Sequence, residues 1–146
     1  MRIYCILNRR VLALLLLSTV LTILIFGQFK SYQITQKNGD THKNRINFIS
    51  NLGFSVDEDS VTEKQVFIPY SFSDVYENYN KVQLKAGYDL TKYRGENVIC
   101  YSYNVISDNT EDFKVVNLLV HNGLIVGGDV SSLRIDGDML PLVKKE

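Results

Sequence analysis

A long apolar run near the N-terminus most restricts how this chain folds and where it resides. The run extends from Val11 to Phe26, continues through residues 27–29, and contains no charged residue between Arg10 and Lys30. A helix that crosses a bilayer needs about 20 predominantly apolar residues, with a lower limit near 17. The sequence therefore predicts a transmembrane helix over residues 11–29.

We interpret the apolar run as an uncleaved signal anchor. A cleaved signal peptide has an apolar region of roughly 7–15 residues followed by a small-x-small cleavage site. This run is longer, and Ile25 stands where that site needs a small residue. Cys5 precedes the run, whereas a lipoprotein cysteine would end it. Cleavage, which would release a secreted free binding domain, is the alternative.

The charges that flank the run predict the orientation of the chain. Three arginines precede it, against Lys30 and Lys37 after it. Under the positive-inside rule, residues 1–10 are then cytoplasmic and the C-terminal part is extracellular. The predicted organisation continues with a tether over residues 30–41 and one extracytoplasmic domain over residues 42–146.

Composition narrows the class of this domain. All 16 acidic residues but only 12 of the 16 basic ones lie beyond residue 30, so that region is mildly acidic. Nucleic-acid binding needs clustered Lys and Arg, and this distribution argues against it. Cys5 and Cys100 lie on opposite sides of the apolar run and cannot pair within one chain. We interpret Cys100 as a buried structural thiol, with a nucleophile or an intermolecular disulfide as alternatives.

Hydrophobic periodicity predicts two helices in the domain. Each has one apolar stripe at helical spacing and a glycine directly after it, which is the residue that most often stops a helix. Gly53 follows the first stripe and Gly87 follows the second. Their members are Ile46, Ile49 and Leu52 in the first helix, and Val75, Tyr79, Val82 and Ala86 in the second.

Alternating patterns predict the strands, over residues 54–56, 63–68, 97–106, 113–120 and 124–130. Asn122-Gly123 is typical of the two-residue type I′ turn of a hairpin. Gly127-Gly128 inside the last strand indicates a bulge or a close approach of another backbone. The tail beyond this strand is predicted to be a weakly packed loop. We expect an α+β domain in which two helices pack on one face of a curved antiparallel sheet.

No pattern in the sequence predicts catalysis, a cofactor or a metal. His42 and His121 are far apart, without zinc-ligand spacing. Asp136-Gly137-Asp138 resembles a fragment of a calcium loop, but the later ligands are absent. No nucleophile elbow, phosphate-binding loop or dinucleotide fingerprint is present. A hydrolase that uses Asp129 with a nearby polar group is the enzymatic alternative.

Tyrosine and glycine mark the candidate binding residues. The chain has nine tyrosines and no tryptophan, and Tyr101 and Tyr103 share one face of a predicted strand. Such tyrosines either line the edge of the hydrophobic core, with the ring buried and the hydroxyl in water, or form a recognition surface. Gly127, Gly128 and Asp129 would form either a bulge or an exposed carboxylate beside bare backbone. These five residues are the predicted binding site.

Several short segments also follow one another in a recognisable order and spacing. Together they resemble the family catalogued as domain of unknown function 4830, over about residues 42–140. The resemblance implies an extracytoplasmic domain of a Gram-positive bacterium, of the Bacillota, with Gly127 to Asp129 as a family feature. It carries over no catalytic residue. The segments are Arg45-Ile46-Asn47-Phe48 with Leu52-Gly53-Phe54-Ser55-Val56, Val75-Tyr76-Glu77-Asn78-Tyr79-Asn80, Gly87-Tyr88-Asp89-Leu90 with Tyr93-Arg94-Gly95, Asn117-Leu118-Leu119-Val120, and Gly127-Gly128-Asp129-Val130.

The combined expectation is a single-pass membrane protein with an outward-facing, non-catalytic interaction or ligand-sensing domain. Its predicted partners are membrane lipid, through residues 11–29, and an envelope or membrane protein. A cell-envelope hydrolase or accessory factor is the alternative.

Overall fold

The computed structural model describes residues 37–107, 113–134 and 137–144. These residues belong to one compact unit, Lys37–Glu146. The predicted transmembrane helix over residues 11–29 lies outside the described part of the chain. Among the described residues, no helix is both long enough and apolar enough to cross a bilayer.

The described residues form two α-helices and one five-stranded antiparallel sheet, whose strand order β1-β2-β3-β4-β5 follows the chain. Short 3₁₀ helices, Glu58–Ser60 and Leu90–Tyr93, precede β1 and β2 respectively. This architecture confirms the expected pair of helices on an antiparallel sheet. The elements are α1 (His42–Asn51), β1 (Thr62–Phe67), α2 (Asp74–Lys85), β2 (Asn97–Asn104), β3 (Lys114–His121), β4 (Leu124–Ser132) and β5 (Met139–Pro141).

Capping side chains start both helices, and glycines with positive φ follow their ends. The hydroxyl of Thr41 accepts a hydrogen bond from the Asn44 amide, and Ser73 caps α2 in the same way. Such caps satisfy amides that have no partner within the helix. Gly53 and Gly87 follow the helices with φ of 86° and 80°, a conformation that glycine adopts without steric penalty. Both predicted helix stops are therefore confirmed.

The hairpin between β3 and β4 also has the predicted geometry. Asn122 and Gly123 both have positive φ, 49° and 77°, as a type I′ turn requires. Beyond the turn, Val120 pairs with Ile125 but Leu119 pairs with Gly127. Residue 126 is therefore an extra residue in β4, which confirms the predicted bulge beside the glycine pair.

The two helices cover opposite faces of the sheet. Val116 and Leu118 of β3 belong to a buried cluster with Ile49 of α1. Leu119, the next residue, belongs to a second cluster, against which Tyr79 of α2 packs. Successive strand residues point to opposite faces. The expectation that both helices pack on one face is thus wrong, because β3 and β4 are apolar on both sides.

The outer edge of β4 is covered by pieces from both ends of the domain. At one end of the strand, Asn38 forms a β-bridge with Leu124, and the Gly39 amide donates to the Gly123 carbonyl at 2.9 Å. At the other end, β5 pairs with residues 129–131. Part of the predicted tether is thus a component of the folded sheet.

Two predicted connections differ from the structure. Residues 54–56 contribute only an isolated bridge, between Val56 and Val105. The tail, expected to be a loosely packed loop, contains β5 and then Leu142, which is only 2 % exposed. That short strand has too few residues for an alternating pattern to reveal it.

Candidate functional site

Asp129 of β4 is the most unusual polar residue of the domain, because its side chain is charged and the residue is only 2 % exposed. Its Oδ2 accepts a hydrogen bond from the Tyr79 hydroxyl at 3.0 Å. Its Oδ1 accepts from Asn117 Nδ2 at 2.8 Å and from Ser131 Oγ at 2.5 Å. The hydroxyl of Ser102 donates to Asn117 Oδ1 at 2.6 Å. We call these five residues the Asp129 cluster.

Strand register explains why the Asp129 cluster forms. Ser102 of β2 is the cross-strand partner of Asn117 in β3, and Asn117 is the partner of Asp129 in β4. Directly opposed residues in an antiparallel sheet point to the same face. The three polar side chains therefore stand in one row across the sheet. Tyr79 of α2, which packs on this face, donates to Asp129 in that row.

The Asp129 carboxylate is held by neutral donors. Among the described residues, the structure shows no cation at ion-pair distance from Asp129. Removing a carboxylate from water is unfavourable unless hydrogen bonds replace its hydration. A hydrogen bond to a charged group contributes about 1.5–3 kcal/mol. The three donors are therefore what makes this burial tolerable.

The hydroxyl of Tyr79 is fixed as a donor. Burial raises the pKa of Tyr79 far above its usual range, and the neighbouring Asp129 carboxylate raises it further. Ionisation would place a second negative charge in the same dry site and would remove a donor from the carboxylate. Tyr79 therefore remains protonated wherever the domain is folded.

Cys100 adjoins this cluster as a weakly acidic thiol. Its sulfur lies 3.9 Å from the Ser102 hydroxyl. Burial raises the pKa of Cys100, and Asp129 adds to the rise, while the contact with Ser102 and the charge of Lys64 partly oppose it. A reactive cysteine needs a lowered pKa. This environment accordingly matches the structural interpretation of Cys100 and not the nucleophilic one.

The inner face of α2 is polar where an ordinary amphipathic helix is apolar. Gln83 is fully buried, and its Oε1 accepts a hydrogen bond from the Gly128 amide at 2.8 Å. Asn80 is also buried, and its Oδ1 accepts from the Leu90 amide at 2.9 Å. These two side chains satisfy backbone amides outside the helix. Among the described side chains, Gln83 Nε2 is the buried polar atom that has no partner.

A second polar group, around Arg45, lies on the opposite face of the sheet. Arg45 of α1 is buried, and its Nε donates to the Tyr103 hydroxyl at 2.9 Å. Its Nη1 donates to the carbonyls of Gly39, at 2.8 Å, and Asp40, at 3.2 Å. Its guanidinium lies 3.6 Å from the centre of the Tyr101 ring, a cation–π contact. Arg45 thereby joins α1, β2 and the first described residues.

The structure divides the five predicted binding residues between these two groups. Tyr101 and Tyr103 surround Arg45 on one face, and Asp129 faces α2 on the other. Gly127 and Gly128 lie in the buried centre of β4. The five residues therefore form no common surface, and Tyr103 is fully buried.

The sequence interpretation missed the partners of these residues. Asn117 lies within a predicted strand and Arg45 within a predicted helix, and no pattern around either residue marks a buried polar group. One signal was present, because Tyr79 and Gln83 lie four residues apart on the face of α2 that carries its apolar stripe. Polar side chains at that spacing indicate a helix that packs on polar groups.

The described residues contain no group of three or more His, Cys, Asp or Glu side chains that could hold a metal ion. His42 contacts Glu58 and lies 3.4 Å from the Tyr103 hydroxyl. His121 lies 3.2 Å from the Asn97 carbonyl, at the other end of the sheet. The two histidines serve separate local contacts.

Fold and site together define a small α+β domain whose most distinctive polar groups are internal. The profile of a family described as Domain of unknown function (DUF4830) matches residues 48–130. The chain belongs to this family, which confirms the resemblance drawn from the ordered segments. The matched region includes Tyr79, Ser102, Asn117 and Asp129. Neither the curated proteins nor the solved structures yielded a match.

Proposed function

We propose that this chain is a single-pass membrane protein whose extracytoplasmic domain binds a protein partner and catalyses no reaction. The apolar run over residues 11–29 and the arginines before it support the anchor and its orientation. Lipid would surround that run. The partner would belong to the envelope or its membrane, because a tethered domain reaches only nearby proteins.

The burial of the Asp129 cluster carries the non-catalytic part of this proposal. A catalytic acid or base must come within hydrogen-bond reach of its substrate. Asp129 is 2 % exposed, and its oxygens already accept three hydrogen bonds. A hydrolase that depends on Asp129 would lose its activity in Asp129→Asn. We expect this variant, if folded, to retain partner binding.

The outer edge of β5 is the surface best suited to the partner. Met139, Leu140 and Val143 each expose nearly half of their side chains there. In the described part of the sheet, β5 is the strand at this edge. Pro141 has no N–H and its carbonyl already accepts from the Val143 amide, so the exposed apolar side chains are what support this surface, more than backbone pairing. We assign this edge to an extended, apolar segment of an envelope protein.

Cross-linking of the full-length chain in native membranes, followed by co-purification, tests this assignment. The test variant is Leu140→Lys, and the matched control is Val75→Lys, an exposed apolar residue of α2. We expect one partner, recovered in near-equal amount with the native chain and with Val75→Lys. Leu140→Lys should lose that partner, because a charge on the edge opposes burial in an apolar interface.

Two results would contradict the proposal in different ways. Recovery of the partner with Leu140→Lys would show that the edge of β5 is not its binding surface. Recovery of lipid and the chain alone would instead favour a small ligand. Intact-mass analysis of the mature protein separately tests the anchor, since an N-terminus at Met1 means that the apolar run was retained.

A further inference from the structure

The register of the sheet brings exposed aromatic residues and the N-terminal segment to the same end of the domain. Phe67, the last residue of β1, pairs with Asn97, the first of β2. The Asn97 carbonyl lies 3.2 Å from His121 Nδ1, beside the hairpin turn. At that turn, the Gly39 amide donates to the Gly123 carbonyl at 2.9 Å. We call this end of the sheet the Gly123 end.

Two aromatic side chains project from the Gly123 end into solvent. Phe67 is 49 % exposed and Tyr70 is 74 % exposed. Their rings contact each other edge to face, with 5.8 Å between centroids. Tyr70 also lies against Gly95, where an added Cβ atom would clash with the Tyr70 ring. The two rings therefore form one exposed aromatic patch.

The length of the connecting chain keeps this end near the predicted membrane segment. Residues 30–36 separate that segment from Lys37, where the described domain begins. Fully extended, this many residues span at most about 25 Å. With the proposed anchor over residues 11–29, this length would keep Lys37, which lies beside the Gly123 end, close to the bilayer.

The distribution of charge favours the same orientation. At the opposite end of the sheet, Asp57, Glu58 and Asp59 are all exposed, and the Asp57 amide donates to the Asn104 carbonyl at the end of β2. An anionic lipid surface repels such a cluster. Near the Gly123 end, the exposed charges are mixed in sign, with Lys92, Arg94, Asp40 and Glu96.

We propose that the Gly123 end faces the bilayer and that Phe67 and Tyr70 insert into its interfacial region. This inference rests on the proposed membrane anchor. Aromatic rings with an apolar body and a polar tip favour the boundary between headgroups and acyl chains. This orientation places β5, which pairs with residues 129–131, toward the end of the sheet farther from the lipid.

The test uses the full-length chain in vesicles of phosphatidylcholine and phosphatidylglycerol. Cys5→Ser and Cys100→Ser remove the native thiols, and a single cysteine then carries an environment-sensitive fluorophore. Ser71→Cys places the label beside Tyr70, and Asp59→Cys places it at the opposite end, both at exposed positions. Circular dichroism establishes that each labelled protein is folded. Spin-labelled lipid then reports how close each fluorophore lies to the bilayer.

We expect the label at position 71 to lose intensity to spin-labelled lipid while the label at position 59 does not. Adding Phe67→Ser and Tyr70→Ser to the position-71 protein should abolish that loss. Equal quenching at the two positions, in protein that floats with the vesicles, would overturn the orientation but leave the anchor intact. Protein that does not float with vesicles would overturn the anchor, and the orientation with it.

Discussion

The hydroxyl of Tyr79 donates to Asp129 Oδ2 across 3.0 Å and thereby joins α2 to the centre of β4. Few helices pack on a sheet through a buried carboxylate, because its desolvation opposes folding. Here the carboxylate accepts three hydrogen bonds, so removing any one donor leaves part of its desolvation free energy uncompensated. The stability of the domain should consequently depend on individual hydroxyl and amide groups.

Tyr79→Phe should destabilise the domain by about 1.5–3 kcal/mol, because it removes one donor from a buried charge and changes little else. Urea unfolding measures the difference in free energy. Tyr70→Phe is the matched control, since its side chain is 74 % exposed. Equal, small effects of the two substitutions would mean that the Tyr79 hydroxyl contributes nothing to holding Asp129.

Arg45→Lys should be destabilising although it keeps the charge. A lysine ammonium cannot donate to the Tyr103 hydroxyl and the Gly39 carbonyl in the same planar geometry, and it stacks less well on Tyr101. Losing one such hydrogen bond and part of a cation–π contact costs about 1–3 kcal/mol. Thermal unfolding of Arg45→Lys against Lys43→Arg, an exposed change on the same helix, measures this cost.

The adjacent glycines of β4 should differ in their tolerance of a methyl group. A Cβ atom at Gly128 would lie 2.5 Å from the backbone oxygen of Asn117, which cannot move without disturbing the sheet. At Gly127 the nearest atom is Gln83 Oε1, at 2.9 Å, the end of a side chain whose displacement would cost its hydrogen bond to the Gly128 amide but would leave the strand backbone in place. Overpacking costs about 1–3 kcal/mol. Gly128→Ala should therefore be the more destabilising in urea unfolding, and the reverse order would contradict this packing.

Leu142→Ala should be strongly destabilising, because Leu142 is buried although it follows a short edge strand. The residue is 2 % exposed and belongs to the cluster that contains Ile49 of α1. Truncating a buried leucine costs about 2–5 kcal/mol. Leu140→Ala, two residues earlier and half-exposed, is the control for chemical denaturation and should have little effect. Similar values for the two variants would show that the tail is not part of the core.

Alkylation of Cys100 should be slow at neutral pH, because burial and the Asp129 charge raise the pKa of its thiol. The experiment follows iodoacetamide labelling against pH in a Cys5→Ser protein, with the urea-unfolded protein as reference. The folded protein retains this proton to higher pH than the unfolded chain does. Its contribution to stability is thus complete below the unfolded pKa and declines as pH rises through the folded pKa. Equal rate profiles would refute the shift.

Local patterns predicted the elements well, because turn and cap chemistry acts over a few residues. Asn122 and Gly123 specified their hairpin, and Gly53 and Gly87 specified the helix ends. The face on which α2 packs was not predictable in this way. Its choice depends on the buried row of Asn117 and its neighbours, which forms only when separate strands come together.

The candidate site was only partly predictable for the same reason. Asp129 stood out because a charged residue follows two glycines in an apolar strand. Its donors come from up to 50 residues away in the chain, as Tyr79 does, and no spacing rule connects them. Tyr103 was assigned to a binding surface because an alternating strand does not reveal which of its faces a helix will cover. Its partner Arg45 could not be identified from α1 alone.

The pairing of β4 with segments from both ends of the domain has a consequence for biosynthesis. As the chain emerges, β4 can pair with β3 and with Asn38, while the part of its outer edge opposite β5 stays uncovered. That stretch is covered only when Met139–Pro141 and Leu142 have left the ribosome or translocon. A chain that stops before Met139 would therefore expose the uncovered edge of β4 to chaperones and proteases.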